Sequence, residues 1–202
     1  MSSIKTFLWM SLLAGASSSA FAAQAIDLRK LSETEVALAD VSQAGAAGKS
    51  FMAATIIAAP LQQLCALVQD YEAYPAFMPN TQSTKVSHTG AGFTEIDVTL
   101  KLPMGKIKKY RLRMEPKTSA QSCVVAWKLV PWPGLKQEET IAATSGSWQF
   151  LPGSLAGKTV VKYAVYTDPG PIPFGAGWIV DSLSKDSIPQ TLEALRKRVA
   201  AK

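Results

Sequence analysis

Apolar and polar residues alternate through the middle of this chain. In Phe93–Leu102, Ile96, Val98, Leu100 and Leu102 share one face, and Glu95, Asp97, Thr99 and Lys101 share the other. In Lys106–Met114, Tyr110, Leu112 and Met114 oppose Arg111 and Arg113. In Cys123–Leu129, Cys123, Val125, Trp127 and Leu129 alternate with smaller or charged residues. A period of two predicts strands buried on one side. Strand patterns also cover Glu35–Val41, Phe51–Ala58, Thr140–Leu151 and Lys158–Thr167, with Gly or Pro turn signals between most neighbours.

Two segments carry the helical period instead. Pro60 stops a strand, and Leu61, Leu64, Cys65, Leu67 and Val68 predict an amphipathic helix over 60–70. Near the C-terminus Ile188, Leu192, Leu195 and Val199 form one stripe. Pro189 lies inside that segment, which leaves either a kinked long helix or two shorter ones. Tyr71–Pro79 reads as a short irregular helix or turn. Strands, two small helices, an antiparallel meander and a closing helix make an α+β fold. The last helix is the one large apolar element left to cover a concave sheet face.

The N-terminus changes the picture of where the protein works. Lys5, the apolar run Phe7–Ala16 and Ala20-Phe21-Ala22 read as a signal peptide over 1–22, cleaved after Ala22. The run is shorter than the ~20 residues that span a bilayer. Residues 23–202 are expected to form one domain, exported, in a bacterial periplasm. Export away from ATP argues against kinases and nucleic-acid binders. The formal charge of +6 favours anionic surfaces such as phospholipid headgroups, or serves solubility alone.

Cys65 and Cys123 can bridge in an oxidising compartment or remain two separate buried thiols. With one histidine, His88, they do not make a four-ligand zinc set, so no metal and no cofactor is expected.

Two stretches are similar to a known family. APLQQLCALVQDYEAYPAFMP (Ala59–Pro79) resembles the start of the polyketide cyclase-like branch of the START-like (SRPBCC) superfamily. YTDPGPIPFGAGWIVDSLSKDSIPQTLEALRKRV (Tyr166–Val199) resembles the ending of the same fold. The resemblance covers roughly residues 33–200. It implies a helix-grip fold, with an antiparallel sheet around a long C-terminal helix and an apolar cavity between them. It further implies binding of lipids, sterols, polyketides or quinone-like molecules, and for a few members cyclase or dehydratase activity.

The inward stripe holds large aromatics with polar tips, which suits an apolar pocket with a few orienting donors. Ile96, Val98, Leu100, Tyr110, Leu112, Met114, Trp127, Trp148, Tyr166 and Trp178 are expected to line it, with Tyr163 as the alternative to Tyr166. Two Pro/Gly loops carry apolar tips and are expected to gate it: Trp132, Gly134 and Leu135 in one, Ile172, Phe174 and Gly177 in the other. With Lys101, Lys106, Lys108, Lys109, Arg111 and Arg113 nearby, these tips suit transient membrane contact. Asp97 with Arg111 and Arg113 could face a ligand's polar head, but alternation places them on the solvent face.

The expected function is binding or carriage of a lipid or other small hydrophobic molecule. The alternative is a cyclase- or dehydratase-type enzyme, with Asp70, His88, Tyr110 and Arg113 as the pool of catalytic groups. A third reading is a groove that takes a partner's apolar segment.

Overall fold

The alternating segments form strands of a single sheet. The computed structural model describes residues 26–171 and 177–201, with side chains for all but Met104 and 177–184. The expected leader, Ile172, Phe174 and the Trp178 side chain lie outside the described residues. The strands are β1 (Ala37–Asp40), β2 (Lys49–Ile57), β3 (Thr81–Gly90), β4 (Phe93–Lys101), β5 (Ile107–Thr118), β6 (Cys123–Val130), β7 (Ala143–Pro152) and β8 (Thr159–Asp168). The helices are α1 (Leu61–Gln69) and α2 (Gly177–Ala200), and a 3-10 turn covers Tyr71–Ala76.

The eight strands run in the order β1-β2-β8-β7-β6-β5-β4-β3, and each pair is antiparallel. After β2 the chain leaves the sheet through α1 and the 3-10 turn and re-enters at the far edge as β3. It then meanders back until β8 pairs with β2, Phe51 opposite Val165 and Ala53 opposite Tyr163. This topology is the helix-grip form of an α+β fold, with α2 on the concave face.

Local chemistry sets the helix ends. Pro60 is the N-cap of α1, and its carbonyl accepts from Gln63 N at 3.1 Å. The buried face of α1 is Leu61, Leu64, Cys65, Leu67 and Val68. A disulfide joins Cys65 to Cys123 at the start of β6, across a Cα–Cα distance of 6.0 Å. α2 continues through Pro189 as one helix, and the Thr191 hydroxyl donates to the Ser187 carbonyl at 2.7 Å in the turn that the proline disturbs. Its stripe Ile188, Leu192, Leu195 and Val199 is buried. Arg196 is held beside it, donating to Thr55 Oγ1 at 2.6 Å and paired with Glu193.

The ion-paired side chains of β4, β5 and β6 sit on the convex face. Asp97 pairs with Arg111 at 2.6 Å, Glu95 with Arg113 at 2.7 Å and Glu115 with Lys128 at 2.9 Å. The solvent-side reading of Asp97, Arg111 and Arg113 is therefore the observed one, because the opposite face of the same strands is apolar.

Candidate ligand-binding cavity

A cavity of about 300 Å³ lies between the concave face and α2. The helix explains part of the hollow. Toward the cavity it presents Ser187 and Thr191, two small side chains beside Ile188, while Leu192 and Leu195 pack completely further along. From the sheet come Phe51 of β2, Ile96, Val98 and Leu100 of β4, Tyr110, Leu112 and Met114 of β5, and Trp127 of β6. Trp148 of β7 and Tyr163 and Val165 of β8 complete that wall, and Tyr74 and Met78 close one side.

The mouth follows from strand direction. Lys49 begins β2, Thr81 begins β3, Lys108 lies near the start of β5 and Thr144 near that of β7, and Thr167 lies near the end of β8. In an antiparallel sheet these positions share one end, and here all of them line the cavity with Asn80, Leu102, Ile141 and Pro169. The polar lining thus gathers largely at this end, and the deeper wall is largely apolar and aromatic.

Eight of the ten expected lining residues are on this surface: Ile96, Val98, Leu100, Tyr110, Leu112, Met114, Trp127 and Trp148. Tyr166 is not, and Tyr163 takes the place. The register puts Tyr166 opposite Ser50 and Ser145, on the outward parity of β8, with its ring against Gly48. Trp148 and Tyr163 meet with ring centroids 4.5 Å apart, and Trp127 and Tyr163 at 5.4 Å.

The first expected gate loop is elsewhere too. Trp132, Gly134 and Leu135 do not line the cavity. Arg111 Cζ lies 5.3 Å from the Trp132 ring centroid, so the loop tip folds against the convex face. Beneath it is a second hollow of about 330 Å³ lined by Arg111, Leu129, Val130, Trp132 and Leu135 among others. A guanidinium that already faces outward offers the indole a cation–π partner that bulk water does not. Of the second loop, Gly177 is the first residue of α2.

The proposed catalytic pool does not assemble. Tyr110 faces the cavity, but Asp70 and His88 are exposed, His88 packs beside Phe93, and Arg113 is on the convex face with Glu95. Asp70 leads into the 3-10 turn through its backbone carbonyl, which accepts from Ala73 N at 3.1 Å.

Burial governs the titrating groups of the cavity. It raises Tyr74, Tyr110 and Tyr163 above the ordinary phenol value, and neighbouring tyrosines add to the effect at Tyr74 and Tyr163. The Tyr74 hydroxyl donates to the Val68 carbonyl at 2.5 Å. Burial lowers Lys108, Lys106 lowers it further, and Glu138 opposes both. The Lys108 amine donates to the carbonyls of Glu138 at 2.9 Å and Thr140 at 2.7 Å, fastening the β6–β7 connection at the mouth.

Sequence reading missed Phe51, Tyr74, Ile141, Val165, Thr144 and Thr167 as lining residues. The parity of β2 and β8 would have found several of them, had one inward residue on either strand been known.

The model of the family described as "Polyketide cyclase / dehydrase and lipid transport" matches residues 57–196. No curated protein matches the chain by sequence. Solved structures share the fold at low identity. A STAR-related lipid transfer protein (fragment 25-204) from Xanthomonas axonopodis is 16% identical with a TM-score of 0.70, over 82% of this chain and 93% of that one. Human StAR-related lipid transfer protein 5 is 14% identical with a TM-score of 0.69, over 82% of each chain. The Zhui aromatase/cyclase from Streptomyces sp. R1128 is 14% identical with a TM-score of 0.60, over 76% of this chain and 94% of that one.

Proposed function

The chain belongs to the polyketide cyclase/dehydrase and lipid transport family, and we propose that it is an exported binder or carrier of a lipid or other small hydrophobic molecule. One observation carries this reading: a hollow of about 300 Å³, walled mainly by apolar side chains, between sheet and α2. Burying apolar ligand surface is worth ~25 cal/mol per Å² before the costs of association, so such a wall can hold a ligand without a charged anchor. The volume is at the lower end of the ~300–1,000 Å³ of ligand pockets, which favours a single chain or a compact ring system over a two-chain lipid.

Two further parts of the proposal have their own support. The leader pattern and the Cys65–Cys123 bridge support export, since disulfides persist in oxidising compartments. The β4–β5 hairpin supports membrane contact: it adjoins the mouth, Ile107 is 40% exposed there, and Lys101 and Lys106 flank it.

Native mass spectrometry of the chain purified from the periplasm of an expression host tests the reading. A bound hydrophobic molecule of low mass is the expected result. A chain that carries none, and whose Trp127 and Trp148 fluorescence ignores added hydrophobic probes, would overturn it.

A further inference from the structure

Tyr110 and Tyr163 reach the cavity from β5 and β8. Burial keeps both phenols protonated, so each is a neutral hydrogen-bond donor. Among the described residues neither hydroxyl has a partner, in contrast to Tyr74, which is satisfied by Val68. The Trp148 indole N–H, on a ring 4.5 Å from that of Tyr163, also lacks an acceptor among the described residues and can only donate. Each of these deep polar groups thus carries a donor hydrogen that no acceptor among the described residues takes up.

The cations are placed differently. Lys108, which donates to the carbonyls of Glu138 and Thr140, and the exposed Lys49 both stand at the mouth, away from the deep wall. A carboxylate or phosphate at the phenols would shed its water without meeting a cation. A pure hydrocarbon would leave two desolvated hydroxyls unpaired. We infer that the cavity is built for an apolar molecule with a neutral oxygen acceptor, a carbonyl or hydroxyl, received by Tyr110 and Tyr163. The inference rests on the cavity reading above and narrows its ligand class.

Three probes of equal chain length separate the cases: undecane, 2-undecanone and undecanoate, titrated at neutral pH against the tryptophan fluorescence of the purified chain. The ketone is expected to bind about tenfold more tightly than the hydrocarbon, and to exceed the carboxylate by at least as much. Replacing both phenols (Tyr110→Phe with Tyr163→Phe) should erase the ketone's advantage, in part by tightening undecane, which then leaves no hydroxyl unpaired. Should the double variant fail to fold, Tyr163→Phe alone must still remove about threefold. Equal binding of ketone and hydrocarbon, a preference for the carboxylate, or a ketone advantage that survives loss of both hydroxyls would overturn the inference and leave the cavity reading standing. Failure of every probe to bind would overturn both.

Discussion

Arg111 lies between two partners on the convex face: its Nε donates to Asp97 at 2.6 Å, and its Cζ stands 5.3 Å from the Trp132 ring centroid. The loop tip expected to guard the cavity is thereby tied to the outside of the sheet. Trp132→Ala should cost about 0.5–2 kcal/mol of stability, the range of a cation–π contact from exposed to desolvated sites. It should leave the affinity for 2-undecanone within about twofold, because that loop is not part of the cavity wall. Urea unfolding and probe titration of the same variant measure the two effects.

The Cys65–Cys123 bridge closes a separation of 58 residues between α1 and β6. In the chain-entropy account such a loop stabilises by about 4 kcal/mol. Replacing both cysteines by serine should therefore lower the midpoint of thermal unfolding by about 10 °C, at 2–4 °C per kcal/mol for a domain of this size. Circular dichroism melts with and without reductant read the same loss in the unsubstituted protein.

Gly146 on β7 has no room for a side chain. A Cβ there would stand 2.3 Å from the Ala164 carbonyl oxygen and 2.3 Å from the Trp127 ring. Gly146→Ala should destabilise by about 1–3 kcal/mol, as overpacked cores do, and displace the Trp127 indole from the cavity wall. A shifted tryptophan emission maximum together with an earlier urea midpoint is the expected result.

Val165 is half-buried and lines the hollow opposite α2. Val165→Phe should fill part of the space, weaken 2-undecanone binding about tenfold and change stability by less than about 1 kcal/mol, since the added ring meets void and not packed atoms. Isothermal titration and denaturant unfolding check the pair of outcomes.

Tyr110 and Tyr163 have folded-state values raised above the ordinary 10.0, and Tyr71 is pushed up to about 12. A raised value means that the folded protein favours the protonated phenol more than the unfolded chain does. Their contribution is complete below pH 10 and declines as pH rises through 10 and beyond. Tyrosinate absorbance should therefore show a late fraction that titrates only together with loss of the folded signal, and ketone binding should weaken across the same alkaline range.

Strand by strand, the sheet was legible where one face was clearly apolar. Ile96, Val98 and Leu100, or Tyr110, Leu112 and Met114, name their inward face within a single segment, because the period of two is a local property. β8 is less clear: Val161, Tyr163 and Val165 share one parity, but Val160, Ala164 and Tyr166 stand with Lys162 on the other, so large apolar residues occur on both faces. Its face is decided by register with β2 and β7, which alternation cannot contain.

By itself, then, the amino-acid order determined the two periodicities, the antiparallel meander, the apolar stripe of α2 and the family likeness, all of which depend on neighbours a few positions apart. The tertiary structure alone decided that Cys65 and Cys123 stand 6.0 Å apart, that Trp132 turns outward to Arg111, and that Tyr163 faces in and Tyr166 out. It also decided that a hollow remains beside Ser187 and Thr191. A cavity is a shortfall of atoms between surfaces supplied by seven strands and a helix, and such a shortfall exists only once those distant segments are brought together.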